Sequence, residues 1–188
     1  MICKDKWLEL LPEFAEVRDP ALRDLGLKAT QLAAEKGGWT EQTVLLAPVT
    51  VNYPGCSCNL IEHVRKVTQT CIVNYELLGG FYEANGCPMD RDTVVCGALL
   101  HDIGKFTEFM LRDGVPVHSA SAVLMRHPLS GAIIAAEAGL PDEIVNLIAT
   151  HSFEGDRSAR TKEADFVRTM DDFVFKCSVA GLLKKTVS

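Results

Sequence analysis

The chain has 188 residues, of which 47% are hydrophobic and 23% charged, and it carries a formal net charge of −6. Its length suits one domain that buries roughly 70% of the surface its unfolded form exposes, and its composition excludes long disordered stretches. The acidic balance argues against general nucleic-acid binding, which needs clustered Lys and Arg to displace counterions, and leaves small or metal-bridged anions as compatible ligands.

The opening residues, Met1-Ile2-Cys3-Lys4-Asp5-Lys6-Trp7, place charges where a signal peptide needs an apolar core. No apolar run approaches the ~20 residues that span a bilayer. A cytoplasmic chain with no membrane attachment is the expectation. The seven cysteines, at positions 3, 56, 58, 71, 87, 96 and 177, form an odd set without framework spacing, which suits reduced thiols. Cys56-Ser57-Cys58 has no second pair to complete a zinc site, so loop thiols are the simpler reading.

From Lys4 to Gly38 the apolar residues Trp7, Leu8, Leu10, Leu11, Phe14 and Val17, then Leu22, Leu25 and Leu32, recur at helical spacing, punctuated by Pro12, Asp19-Pro20 and Gly37-Gly38. Thr40-Glu41-Gln42 reads as a helix start, and residues 48–58 read as a loop. A long amphipathic helix is expected over 59–84, closed by Asn85-Gly86 and carrying His63 in its first turns. Asp90-Arg91-Asp92 opens a helix whose apolar run ends at His101-Asp102. A short segment after Lys105 leads to a turn at 112–116, and a helix is expected over 119–126. Further helices follow: one over 129–137 with Pro128 at its first position, one from Pro141 to His151, and one over 163–183. No strand alternation of useful length and no repeat is present. The expected architecture is an all-α single-domain helical bundle in which residues 1–58 form an extension packed on a core of residues 59–188.

His101 and Asp102 stand at the end of a run with no other charge, where an uncompensated carboxylate costs several kcal/mol, so a cation is expected close to Asp102. A divalent metal is the simplest one. His63, His101, His127 and His151 all sit at or near helix ends, 38, 26 and 24 positions apart. Each gap holds one helix out and one back, so the four rings can return to one region of a bundle, where dinuclear metal sites are built. His118 lies in a Val-His-Ser loop as a surface or substrate-side residue. In the last helix Asp171 shares the stripe of Val167 and Val174, whereas Asp172 stacks with Arg168 and Lys176. Asp165 and Asp172 stay as alternatives to Asp171.

The pattern H…HD…H…H…D, with HDIGK at residues 101–105 and His127-Pro128-Leu129-Ser130-Gly131 in the form HPxxG, resembles the HD-domain superfamily of metal-dependent phosphohydrolases over about residues 59–175. Phe166-Val167-Arg168-Thr169-Met170-Asp171 is similar to the family's IVxxAD segment, with Met170 in place of the usual alanine. The resemblance implies two metal ions bridged by Asp102, one held by His63, His101 and Asp171 and the other by His127 and His151. Imidazoles mixed with carboxylates suit Fe or Mn foremost, then Ni, Co or Zn, better than Mg. Asp102 and Lys105 are the catalytic candidates, Lys105 as a point charge for phosphate, with a solvated helix-end lysine as its alternative. Glu154 either orients a ligand or lies on the surface.

The implied activity is hydrolysis of a phosphate ester, of a nucleotide or another small phosphorylated metabolite, by a metal-bridged hydroxide. A cyclic-dinucleotide substrate is disfavoured, because Ser152-Phe153-Glu154-Gly155-Asp156-Arg157 stands where the GYP segment is expected. The same ligand set is also compatible with a mixed-valent di-iron oxygenase of this type, and with a non-catalytic nucleotide-binding sensor. A homo-oligomer is compatible with the sequence and not required by it.

Overall fold

The computed structural model describes residues 2–53 and 55–183. The helices are α1 (Lys4–Leu10), α2 (Pro20–Gly37), α3 (Leu60–Ala84), α4 (Arg91–Leu100), α5 (Lys105–Glu108), α6 (His127–Ala138), α7 (Asp142–Thr150) and α8 (Lys162–Leu183). Their boundaries follow from local chemistry. Asp19 caps α2 by accepting from the Ala21 amide, with Pro20 next in line. Asn59 and Glu62 form a reciprocal capping box at the start of α3, and Asp90 accepts from the Thr93 amide at the start of α4. Gly38 and Gly139 end α2 and α6 in the left-handed region, where only glycine is unstrained. No helix is long and apolar enough to cross a membrane among the described residues.

Three local expectations are corrected. Residues 109–112 and 115–118 pair as an antiparallel hairpin, β1 and β2, with Phe109 opposite His118. The connecting Asp113 and Gly114 have φ of 53° and 77°, the mirror-image turn geometry that an Asp-Gly pair favours. Residues 119–126 form hydrogen-bonded turns instead of a helix. Ser119 is spent on other partners, its hydroxyl donating to the Thr107 carbonyl and its amide to the Glu108 carbonyl. Val123 and Leu124 stay exposed, so no apolar face drives a helix there. The helix start read at Thr40 yields only a 3-10 turn over Val44–Leu46.

α4 is buried along almost its whole length, from Val94 through Leu100, and this explains its continuous apolar run. A Cβ on Gly97 would meet a Leu147 methyl at 2.3 Å, so α7 lies directly on α4. The N-terminal residues join the same core, with Trp7 and Phe14 at 1% and 0% exposure. They hold the turn that follows Asp102: Phe106 packs edge-on against Trp7 and Trp39 with ring centroids 6.0 and 6.3 Å away. Trp39 Nε1 also donates to the Phe106 carbonyl at 2.7 Å. Between the 3-10 turn and α3 the chain makes a strap whose neck is closed by an antiparallel bridge of Pro48 with Asn59 and by the Leu60 amide donating to the Ala47 carbonyl at 2.8 Å.

Candidate metal centre

Each histidine read from the sequence is fixed by the helix end it occupies. His101 and His151 follow the last residues of α4 and α7, where backbone carbonyls lack helical partners. Their Nδ1 atoms lie 2.7 Å from the Ala98 carbonyl and 2.8 Å from the Ile148 carbonyl. Each Nδ1–H donates there, which turns Nε2 toward the interior as the nitrogen available to a metal. His127 opens α6; its amide nitrogen and its Nδ1 both lie 2.7 Å from Glu108 Oε2, so one carboxylate satisfies an orphan amide of the helix start and sets the tautomer of the ring. His63 stands in the first turns of α3, 2% exposed.

The four Nε2 atoms converge on Asp102, which lies in the turn between α4 and α5 at 1% exposure. Oδ2 lies 3.4 Å from the Nε2 atoms of both His63 and His101. Oδ1 lies 3.5 Å from His127 Nε2 and 3.6 Å from His151 Nε2. Asp171 enters from α8, with Oδ1 2.9 Å from His63 Nε2 and 3.6 Å from His101 Nε2. Two ligand groups result, His63 with His101 and Asp171, and Asp102 with His127 and His151, and within each group the donor atoms lie within 4.8 Å of one another. Asp172 pairs with Lys176 at 2.8 Å, and Asp165 lies 3.8 Å from Arg160; neither joins these groups.

The HDIGK and HPxxG segments meet through their glycines. A Cβ on Gly104 would fall 2.0 Å from the His127 carbonyl oxygen and 2.7 Å from the Gly131 nitrogen. The absence of a side chain at Gly104 is what lets Asp102 approach His127.

Both oxygens of Asp102 are buried without accepting a hydrogen bond. Lys105 Nζ lies 2.7 Å from Oδ2, a contact of charges whose angles do not make a hydrogen bond. Lys105 is thus buried at 9% exposure rather than solvated. Burial opposes ionisation of Asp102 and Asp171, but their neighbours prevail: the charges of Lys105 and His101 hold the Asp102 carboxyl well below the usual range, and His101, with hydrogen bonding from the His63 ring, does the same for Asp171. His101 shows the reverse balance, its burial outweighed by the two carboxylates, which push its pKa up to about 10. Burial lowers the pKa of His127 against the pull of Glu108. An ionised, buried carboxylate whose two oxygens accept no hydrogen bond and face four imidazoles fits a divalent cation, which would take the place of the proton now shared with His101. Three imidazole-rich ligands on each side suit transition ions.

A model of the HD domain matches residues 60–175, which is more than half of the chain. The chain belongs to the HD-domain family. Neither a curated protein nor a solved structure matches it. HD domains generally bind divalent metals and hydrolyse their substrates, which supports an enzyme at that coarse level. The matched HD region contains both ligand groups, whereas residues 2–53 lie before it.

Glu108 and Arg126, which sequence reasoning missed, belong to this HD site. Glu108, 1% exposed, holds His127 through Oε2 and pairs with Arg126 through Oε1 at 2.6 Å. Its burial and that hydrogen bonding are balanced so that the carboxyl titrates below its usual value. The signal was a lone acid between Phe106 and Phe109. Glu154 stands one step further out, 3.1 Å from Arg126 Nε and bonded to the Ser152 hydroxyl, so it steadies Arg126 rather than a histidine. His118 lies exposed on β2, its ring 5.2 Å from that of Phe109. Glu108→Gln keeps the volume but weakens the acceptor shared by the His127 ring and amide; a drop of about 10- to 100-fold in metal affinity is expected, measured by competition with a chelator. Unchanged affinity would show that His127 does not depend on Glu108.

Proposed function

We propose that the protein is a metal-dependent phosphohydrolase that cleaves a small phosphate ester, with His63, His101 and Asp171 holding one divalent ion, His127 and His151 the other, and Asp102 shared between them. The observation that carries this reading is the buried Asp102 carboxylate, whose two oxygens each face a different pair of imidazoles and accept no hydrogen bond. When bound, a pair of divalent ions supplies positive charge for phosphoryl oxygens and lowers the pKa of water toward neutrality. The chain supplies the positioning. Ala98, Ile148 and Glu108 fix three imidazoles so that Nε2 points inward, and Lys105 brings an ammonium to the floor beside Asp102 to receive a phosphoryl oxygen.

With two divalent ions bound, charge in the adjoining cleft, about 470 Å³ in volume, favours an anion. Its lining includes four basic residues (Lys105, Arg126, Arg168 and Lys176) and four acidic ones (Asp102, Glu108, Asp171 and Asp172). These cancel, so two divalent ions leave the cleft strongly positive. The volume is that of a small-molecule site, in keeping with a nucleotide or another small phosphorylated metabolite.

Metal analysis by mass spectrometry followed by a phosphoester panel with Mn, Fe, Co, Ni or Zn tests the proposal. Two ions per chain and phosphate release that depends on them are expected. Two irons with O₂ consumption and no phosphate release would instead make the protein a di-iron oxygenase, and nucleotide binding without turnover would make it a sensor.

A further inference from the structure

One wall of the cleft comes from outside the matched HD region. Val49, Thr50, Asn52 and Tyr53, all from the strap before α3, line it together with Asp102. None of the four carries a charge, although the rest of the lining is densely charged. The Tyr53 ring packs edge-on against Phe175 of α8 at 5.9 Å between centroids and 71° between planes. Phe175 in turn lies edge-on to His63 at 6.3 Å. Phe153 adds to the lining an aromatic ring that is 67% exposed. An exposed aromatic beside a buried polar cluster is an apolar surface awaiting a partner, and aromatic corners of this kind receive flat rings.

We infer that Tyr53 is a specificity-determining residue and that the substrate is a phosphate ester whose organic part carries an uncharged planar ring. With the phosphate drawn to the charged floor, the remainder of such a molecule can reach the uncharged strap lining, where Tyr53 and Phe175 form an aromatic corner. The strap's neck fixes that corner, because Asn59 both pairs with Pro48 and caps the helix that carries His63. Phe175 also touches His63, so replacing it disturbs the metal cluster; Tyr53 touches Phe175 and can be varied without removing any proposed ligand.

The inference rests on the phosphoester reading, and the test separates the two. Binding of phenylphosphonate and of methylphosphonate to Mn-loaded protein is measured by calorimetry, alongside metal content. Wild type is expected to bind both, phenylphosphonate the more tightly. Tyr53→Ala is expected to weaken phenylphosphonate by about 3- to 10-fold, the contribution of one aromatic pair, while methylphosphonate affinity and metal content stay unchanged. Tyr53→Phe, which keeps the ring, is expected to retain the wild-type preference. If both probes bind and Tyr53→Ala leaves their ratio as in wild type, Tyr53 does not select the substrate, although the anion-binding floor stands. If neither phosphonate binds the metal-loaded protein, the phosphoester reading fails and takes this inference with it.

Discussion

On the proposed two-metal phosphohydrolase reading, Asp102→Asn is expected to lower metal content from two ions per chain to fewer than one, and to reduce metal-dependent phosphate release by about 10³-fold or more. The magnitude follows from the several kcal/mol that a metal pair contributes to charge stabilisation, with each 1.4 kcal/mol worth a factor of ten. Asparagine keeps the shape of the side chain but removes its negative charge, and it presents one carbonyl oxygen where Asp102 offers an oxygen to each pair of imidazoles. It also leaves Lys105 buried at 9% exposure without its counter-charge, which disfavours a cation beside it further. Metal content by mass spectrometry and turnover on the same preparation measure the two effects together. A variant that keeps both ions and wild-type turnover would remove Asp102 from the centre.

Gly104→Ala is expected to destabilise the fold by about 3 kcal/mol and to lower metal content with it, since added atoms in a closed contact force backbone shifts of this order. The backbone at Gly104 has φ −62° and ψ −20°, which alanine adopts without strain. The loss is therefore steric: the new Cβ would lie 2.0 Å from the His127 carbonyl oxygen, and relief requires the turn carrying Asp102 to move away from the start of α6. Urea unfolding measures the first effect and metal analysis the second. Gly80→Ala on α3 is the matched control, because a Cβ there meets nothing within 4 Å; it should stabilise by about 0.5–1 kcal/mol through the better helix propensity of alanine. A Gly104→Ala midpoint equal to that of wild type would mean that the two motifs are not held together by this contact.

Much of the helical architecture was legible because its causes are local. Asn59 with Glu62, Asp19 with Pro20 and Asp90 act within one turn of the helices they start, and Gly38 and Gly139 act at the residue where the chain must turn left-handed. Histidines at the ends of apolar helices stood out for the same reason, and the 100° step of the last helix favoured Asp171 while leaving Asp165 and Asp172 as alternatives. The hairpin at 109–118 was signalled by Asp113-Gly114 but concealed by strands only four residues long. The turns at 119–126 depended on partners in another segment, the Thr107 and Glu108 carbonyls.

By itself the sequence determined most of the helices, the family motifs and four histidines and one aspartate able to bind metal, with Asp171 favoured over Asp165 and Asp172 as the sixth, since periodicity, capping and residue chemistry are carried by neighbours along the chain. Tertiary structure alone decided that Glu108 holds His127, that Gly104 and Gly131 touch, that Lys105 is buried on Asp102, and that Tyr53 packs against Phe175. Each of these is a contact whose energy depends on which surfaces the core brings together and which it desolvates. Such contacts leave no period or cap in the chain from which to read them.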